Sequence, residues 1–306
     1  MIKFYHKTIK DKKLSVSNDF KIGSWIYVEK PSESELEFLA EKFSFEPGLL
    51  RDAIDPYEVP RLEVDNGTLY VFTRVPFREQ GKVITVPILI AIGHNYVLSV
   101  AQSNLPFLQK FTDGEVEFNT TQKTNFFLQI FSQIILLYNN FLTSISRGVR
   151  SGTVRLKDIS NEDIVRFVNF ESILNDFLAA LLPTNAILNN LLSGKFLELY
   201  EEDKDLIEDL FLSNNQLIEL AKINLKTIVN IRESYSTIMS NNLNRVMKLL
   251  TALTIIITVP TTIINFYSMN VRLPFAQSPW AFWIVLGTTL TLAIILLGIF
   301  IKKKWL

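Results

Sequence analysis

LLTALTIIITVPTTIINF, from Leu249 to Phe266, runs 18 residues without a charge, and WAFWIVLGTTLTLAIILLGIFI, from Trp280 to Ile301, runs 22. Either stretch can cross a hydrocarbon core of about 30 Å as a helix, the first once Val246 and Met247 are added. In lipid the backbone must satisfy its own hydrogen bonds, so both are expected to be α-helical. Trp280 and Trp283 at one end of the second stretch and Trp305 just past the other match an interfacial aromatic belt.

Arg232, Arg245 and Lys248 precede the first span, Lys302, Lys303 and Lys304 follow the second, and the connection between them carries only Arg272. The positive-inside rule then puts both termini in the cytosol of a two-span protein of the cell membrane. Two spans in one chain enclose no lumen, so a channel requires an oligomer.

Working outward, the 306 residues carry 31 bases and 31 acids, but unevenly. Five of the bases and none of the acids lie beyond Arg245, which leaves the part up to Arg245 with 26 bases against 31 acids. The composition excludes a freely soluble enzyme and a nucleic-acid-binding domain with a basic face. The absence of cysteine excludes a disulfide scaffold, thiolate catalysis and thiolate metal sites. MIKFYHKTIKDKK at the start is basic but has no apolar run, so it reads as the start of a mature cytosolic domain. His6, in that basic tail, and His94, in a turn, read as structural or surface residues. No nucleotide-binding loop, nucleophile elbow or zinc-protease motif occurs, and no organic cofactor is expected.

Within the first span Thr251, Thr254, Thr258, Thr261 and Asn265 recur at spacings of 3, 4, 3 and 4, a single stripe of a helix that extends downward to Met247 and Asn244. One reading is that each hydroxyl bonds the carbonyl four residues back and helps helices adhere, which suits any single threonine. The other is a pore lining, which suits the whole stripe with Asn265, because an asparagine facing lipid is costly. Pro260 deletes one backbone bond and permits a kink. With no acid after Arg245, nothing in the spans can replace the water shell of a divalent cation. A transported ion should pass hydrated.

The cytosolic part divides by character. Ser24 to Pro31 reads as a strand, Ser32 with Glu35 as a capping box for a helix from Glu33 to Lys42, and Pro47 to Ile54 as a short helix. Arg61–Val64, Thr68–Val75, Val83–Ile92 and Tyr96–Val100 are β-rich runs separated by Asn66-Gly67, Gln80-Gly81 and Gly93-His94-Asn95, which are hairpin signals. Glu115–Arg147 and Lys195–Val259 contain neither glycine nor proline and have helical periodicity. The second run leads into the first span, so one rod of roughly 90 Å could carry a cytosolic movement to the membrane. The expected class is an α+β cytosolic domain with a mixed, mainly antiparallel sheet, then long α-helices, then a two-helix transmembrane hairpin. The divisions are residues 1–114, the sheet domain; 115–245, the long-helix stalk; 246–266, the first span; 267–279, an outer loop; 280–301, the second span; and 302–306, a basic tail. Glu201, Glu202, Asp203, Asp205, Glu208 and Asp209 form an acidic cluster that reads chiefly as a solvated helix start, though paired acids could hold a hard cation between subunits.

Tyr267-Ser268-Met269-Asn270, directly after the first span, resembles the Tyr-Gly-Met-Asn signature of the CorA family of Mg2+ transporters. Ser240 to Thr251, Pro260-Thr261, the terminal Lys302 to Leu306, and, more weakly, Trp25-Ile26, Asp52 to Asp55, Pro60 to Glu63 and Leu69 to Phe72 extend the resemblance over nearly the whole chain. The resemblance implies a funnel-shaped homopentamer in which five copies of the first span line the pore and the second spans form an outer ring. It implies that Tyr267, Ser268, Met269 and Asn270 form the outer mouth, with Asn270 meeting the hydrated ion. Thr254, Thr258 and Thr261 line the path on this reading, joined by Asn265, with Leu250, Met247 and Asn244 as the gate. It places Asp209, beside Glu208, at a regulatory inter-subunit Mg2+ site. Two differences stand out, Ser268 for the motif glycine and Arg272 in the loop.

The expected function is potential-driven influx of hydrated divalent cations, Mg2+ first, with Mg2+ also the regulatory ion, the bilayer and four further copies as partners, and no nucleic acid. Alternatives are a relative carrying Zn2+, Co2+ or Ni2+, and a non-conducting Mg2+-binding regulatory protein. An enzyme with a membrane anchor ranks last, since no catalytic constellation occurs.

Overall fold

The structure, a computed structural model, describes residues 1–154, 159–271, 274 and 278–306. It separates into two compact units, Met1–Ile231 and Arg232–Leu306.

The first unit is built on a seven-stranded sheet of β1 (Ile2–His6), β2 (Ser15–Ser17), β3 (Ser24–Glu29), β4 (Arg61–Asp65), β5 (Thr68–Glu79), β6 (Lys82–Ile92) and β7 (Tyr96–Ala101), in the order β2-β1-β3-β7-β6-β5-β4. Every neighbouring pair is antiparallel except β3 with β7. Two hairpins follow from local chemistry. Asn66-Gly67 and Gln80-Gly81 each adopt positive φ at both positions, 46° and 73° in the first and 48° and 83° in the second. A two-residue loop of that kind matches the twist of the strands it joins, and it closes β4 on β5 and β5 on β6.

Alternation then sorts side chains to the two faces. Trp25, Tyr27, Leu69, Val71, Ile88 and Ile90 enter one core, together with Phe126, Phe131 and Phe177. Ile26, Val28, Tyr70, Phe72, Leu89 and Ala91 enter the other, with Leu39 and Leu50. The second core is covered by α1 (Glu33–Phe43) and α2 (Pro47–Asp52), the first by α3 (Pro106–Thr112), α4 (Lys123–Val154) and α5 (Asn161–Leu192), with the beginning of α6 (Glu201–Tyr267). The capping box at Ser32 and Glu35 is formed as expected, and Ser160 with Asp163 makes a second one at the start of α5.

Buried polar groups tie the layers together. Trp25 Nε1 donates to Ser99 Oγ at 2.8 Å, and the hydroxyls of Thr73 and Thr184 meet at 3.1 Å. Tyr138 donates to the Arg74 carbonyl at 2.9 Å, and burial pushes its phenol well above the usual tyrosine range. A fully buried donor left unpaired would cost more than each of these bonds returns, so the pairing also fixes register between layers.

The structure differs from the sequence reading in three places. The basic start is no tail: Ile2–His6 is strand β1, with Phe4 and Tyr5 buried and His6 inside the sheet. Glu115 to Gln122 is not helical, because Phe118 stacks on Phe126 at 4.7 Å and Thr120 exchanges hydrogen bonds with the Lys7 backbone. Lys195 to Tyr200 is likewise outside the helix, and α6 begins at Glu201 and continues through Pro260 to Tyr267, 67 residues in all. Absence of glycine and proline permits a helix but does not require one.

Among the described residues three helices are long and apolar enough to cross a membrane, α4, α6 and α7 (Ala281–Lys302). Half of the apolar window of α4 is buried within the protein, against 6% for α6 and 11% for α7. The apolar face of α4 is thus spent on the core of the first unit.

That face explains two helical glycines. A methyl at Gly148 would sit 2.7 Å from the Phe170 ring, and one at Gly152 would overlap the Phe167 ring. Their helix cost relative to alanine is offset by the close approach of α5. Gly152→Ala should lower stability by about 1–3 kcal/mol, read as earlier thermal unfolding of the full-length protein. Ser172→Ala, on the same helix as Phe167 but exposed, should move it by less than about 0.5 kcal/mol.

Candidate functional site

In the second unit the helical part of α6 arranges its residues by angle. At 3.6 residues per turn, Asn244, Met247, Thr251, Thr254, Thr258, Thr261 and Asn265 fall within an arc of roughly 100°. All seven are exposed. Leu250 lies at the margin of that arc and is 59% exposed. On another face lie Ala252, fully buried, and the half-buried Ile255, Ile256, Val259, Pro260 and Ile263. In α7, reduced exposure also follows one stripe, through Ala281, Val285, Thr289, Leu296 and Phe300. Each helix therefore has one sheltered stripe, and in α6 the polar stripe is not the sheltered one.

Three hydroxyls of the polar stripe, those of Thr251, Thr254 and Thr261, are turned onto their own helix. Thr251 donates to the Met247 carbonyl at 2.8 Å, Thr254 to Leu250 at 2.8 Å and Thr261 to Ile257 at 2.7 Å. Each oxygen then has its proton committed and its lone pairs free. A surface of such threonines accepts hydrogen bonds more readily than it donates them. The three threonines of α7 bond in the same manner, so this is how either helix treats a hydroxyl. What distinguishes α6 is the alignment.

At the end of α6 the Tyr267-Ser268-Met269-Asn270 motif folds tightly back on the last turn. Ser268 N–H donates to the Ile264 and Asn265 carbonyls at 3.1 and 3.2 Å, and its hydroxyl donates to Asn265 at 2.8 Å. Among the described residues the non-glycines with positive φ are Lys30, Ser44, Asn66, Gln80 and Lys304. Ser268 is not one of them, so serine carries no left-handed strain there. Met269 and Asn270 are exposed beyond it. Arg272 lies outside the described residues.

The acids at the start of α6 separate into two kinds. Asp203 is 4% exposed, and its carboxylate accepts the Tyr200 N–H at 3.3 Å while the Tyr200 carbonyl accepts from the Asp203 N–H. It is a helix cap. Glu208 and Asp209 are exposed. Among the described residues of this single chain, no group of three or more His, Asp or Glu side chains could hold a metal ion. An open cleft of about 940 Å³ is lined by His94, Lys123, Glu198 and the first acids of α6, though by neither Glu208 nor Asp209. There Lys123 donates to the Gly93 carbonyl at 3.1 Å and to that of His94, and burial holds its ammonium pKa below the usual lysine range, against the opposing pull of Glu198. His94 is exposed in its turn and contributes its backbone rather than its ring.

A family model described as CorA-like Mg2+ transporter protein matches residues 21–303. The chain is 25% identical over 298 residues to the cobalt/magnesium transport protein CorA of Methanocaldococcus jannaschii, covering 92% of this chain and 91% of that protein. The complete structure of the CorA magnesium transporter from Methanocaldococcus jannaschii superposes with a TM-score of 0.88 at 21% identity, covering 100% of this chain and 99% of the other. The ZntB cytoplasmic domain from Vibrio parahaemolyticus superposes with a TM-score of 0.65 at 9% identity, over 78% of this chain and 99% of that domain.

Asp203→Ala should cost about 1 kcal/mol of stability through loss of the cap. Asp209→Ala and Glu208→Ala, with exposed carboxylates, should each stay within about 0.5 kcal/mol. Thermal unfolding of the full-length variants in metal-free buffer checks this ranking.

Proposed function

The chain belongs to the CorA family, whose members are ion transporters and not enzymes, and from that premise we propose a homopentameric two-span channel that admits hydrated divalent cations, Mg2+ first. Five copies of α6 line the pore along Asn244, Met247, Leu250, Thr254, Thr258, Thr261 and Asn265. The sheltered stripes of α6 and α7 pack together as a hairpin, and α7 forms the outer ring. Tyr267, Ser268 and Met269 hold Asn270 at the outer mouth, and Leu250, Met247 and Asn244 close the inner end. Both termini face the cytosol, with residues 1–114 and 115–245 as the cytosolic sheet domain and stalk.

The observation that carries this reading is the aligned polar stripe in which Thr251, Thr254 and Thr261 turn their protons inward. A hydrated cation directs the hydrogens of its water shell outward. It is best received by acceptors, and committed threonine hydroxyls and asparagine carbonyls are acceptors without full charge. No aspartate or glutamate lies beyond Arg245 to strip the shell. An inside-negative potential drives entry, worth roughly 4.6 kcal/mol per 100 mV for a double charge. Divalent ions bound at Asp209 and Glu208 between neighbouring subunits close the channel when the cytosolic concentration is high.

Co2+ stands beside Mg2+ as cargo because the archaeal relative is named for both ions. A non-conducting, Mg2+-binding role is the rival reading. Ser268 and Arg272 in place of the family's usual residues would favour it, whereas a Ser268 backbone outside the left-handed region supports the conducting reading.

In proteoliposomes with an inside-negative potential and a trapped Mg2+-sensitive dye, the protein should admit Mg2+, and Asn270→Ala should abolish entry. Silence toward Mg2+, Co2+, Ni2+ and Zn2+ by an intact oligomer would establish the non-conducting reading instead. Because the chain has no cysteine, single substitutions report water access directly. Cysteines at Thr254, Thr258, Thr261 and Asn265 should react with a membrane-impermeant thiol reagent, while those at Ile255, Val259 and Ile263 should not.

A further inference from the structure

The end of α7 has a construction that the reading above leaves without a role. Trp305 N–H donates to the Phe300 carbonyl at 3.0 Å and Lys304 N–H to that of Ile301 at 3.0 Å, while Lys304 takes φ +55°. These are the paired hydrogen bonds of a left-handed helix cap, a position that favours glycine. Here a lysine occupies it. The cap is closed by an apolar contact, the Trp305 ring stacked on Phe300 with centroids 5.5 Å apart and planes 27° from parallel.

The turn brings three lysines together at one end of the helix. Lys302, Lys303 and Lys304 are all exposed, and none forms an ion pair with another described residue. No acid lies anywhere in the chain beyond Arg245. No aspartate or glutamate side chain of this segment is there to balance them. The 22 residues of α7 extend about 33 Å, close to the thickness of a hydrocarbon core, which sets the lysines at the phosphate level of one leaflet. Trp305 beside them has the amphipathic ring suited to that interface.

We propose that this capped end is a clamp for anionic lipid: Lys302, Lys303 and Lys304 hold headgroup phosphates of the cytosolic leaflet, and Trp305, locked on Phe300, sets their depth. The proposal rests on the two-span reading above. Each lysine near an anionic surface is worth roughly a fivefold change in affinity.

The test titrates the detergent-solubilised full-length protein with phosphatidylglycerol, phosphatidylcholine or inorganic phosphate, following the shift in thermal unfolding. Phosphatidylglycerol should stabilise the protein, and the effect should weaken with salt; the other two should not stabilise it at equal concentration. Lys304→Gly keeps the turn and two lysines, and should weaken the phosphatidylglycerol effect roughly fivefold. K302Q/K303Q/K304Q should weaken it by more than tenfold with unchanged unfolding in the absence of lipid. An equal response to phosphatidylcholine or to free phosphate, or a triple variant that keeps full phosphatidylglycerol affinity, overturns the clamp. Alkaline carbonate washing of phosphatidylcholine vesicles separates the two readings. Release of the unaltered protein sinks the membrane-spanning reading, whereas retention without lipid preference sinks the clamp alone.

Discussion

In the apolar stretch of α6 the nearest acceptor for a threonine hydrogen is a carbonyl of its own helix, a constraint that holds whether the face meets water or lipid. Thr251, Thr254 and Thr261 meet that constraint by donating to the carbonyl one turn below. The same bonds that make a hydroxyl tolerable in hydrocarbon also decide its chemistry. With the proton committed, the exposed side of each oxygen can only accept. A row of such oxygens suits an ion whose outermost atoms are water hydrogens, and it suits a bare cation poorly. The bland account of these threonines and the transport account are therefore one structure seen from its two sides.

The first unit solves a different problem, how to cover both faces of a mixed sheet. Strand alternation sends Trp25 and Tyr27 to one core and Ile26 and Val28 to the other, and helices close over each. Close approach is bought with glycine at Gly148 and Gly152, where phenylalanine rings of α5 occupy the space of a side chain. The buried hydroxyls of Thr73, Thr184 and Tyr138 find partners in neighbouring layers, which leaves few alternative ways to stack them. The long apolar face of α4 belongs to this arrangement, although by composition it passes for a membrane span as well as α6 does.

Much of this was legible residue by residue. The hairpins at Asn66-Gly67 and Gln80-Gly81 and the capping box at Ser32 and Glu35 are short-range signals, because the energies that enforce them lie within four residues. β1 was not legible. Its hydrophobic residues Phe4 and Tyr5 are flanked by lysines, and only pairing with β3, some twenty residues on, gives them a place to be buried. The irregular stretch before α4 was hidden for the same reason, since Thr120 is held by Lys7 and not by its own neighbours. Of the site, the spacing of Thr254, Thr258, Thr261 and Asn265 was in the sequence; the sheltering of Ala252 and Ile263 on another face was not.

By itself the sequence determined where the two uncharged stretches lie, which residues share a stripe on the first of them, and where the chain turns within the sheet. Those properties depend on hydropathy, helical period and local backbone preference, all of which are set by near neighbours. Tertiary structure decided that α4 is a core helix, that the chain's first residues form a strand, that Asp203 is a cap while Glu208 and Asp209 stand free, and that Ser268 sits in the motif without strain. Each of these depends on which distant groups arrive to cover a face or accept a hydrogen bond, and burial is a property of the assembled chain.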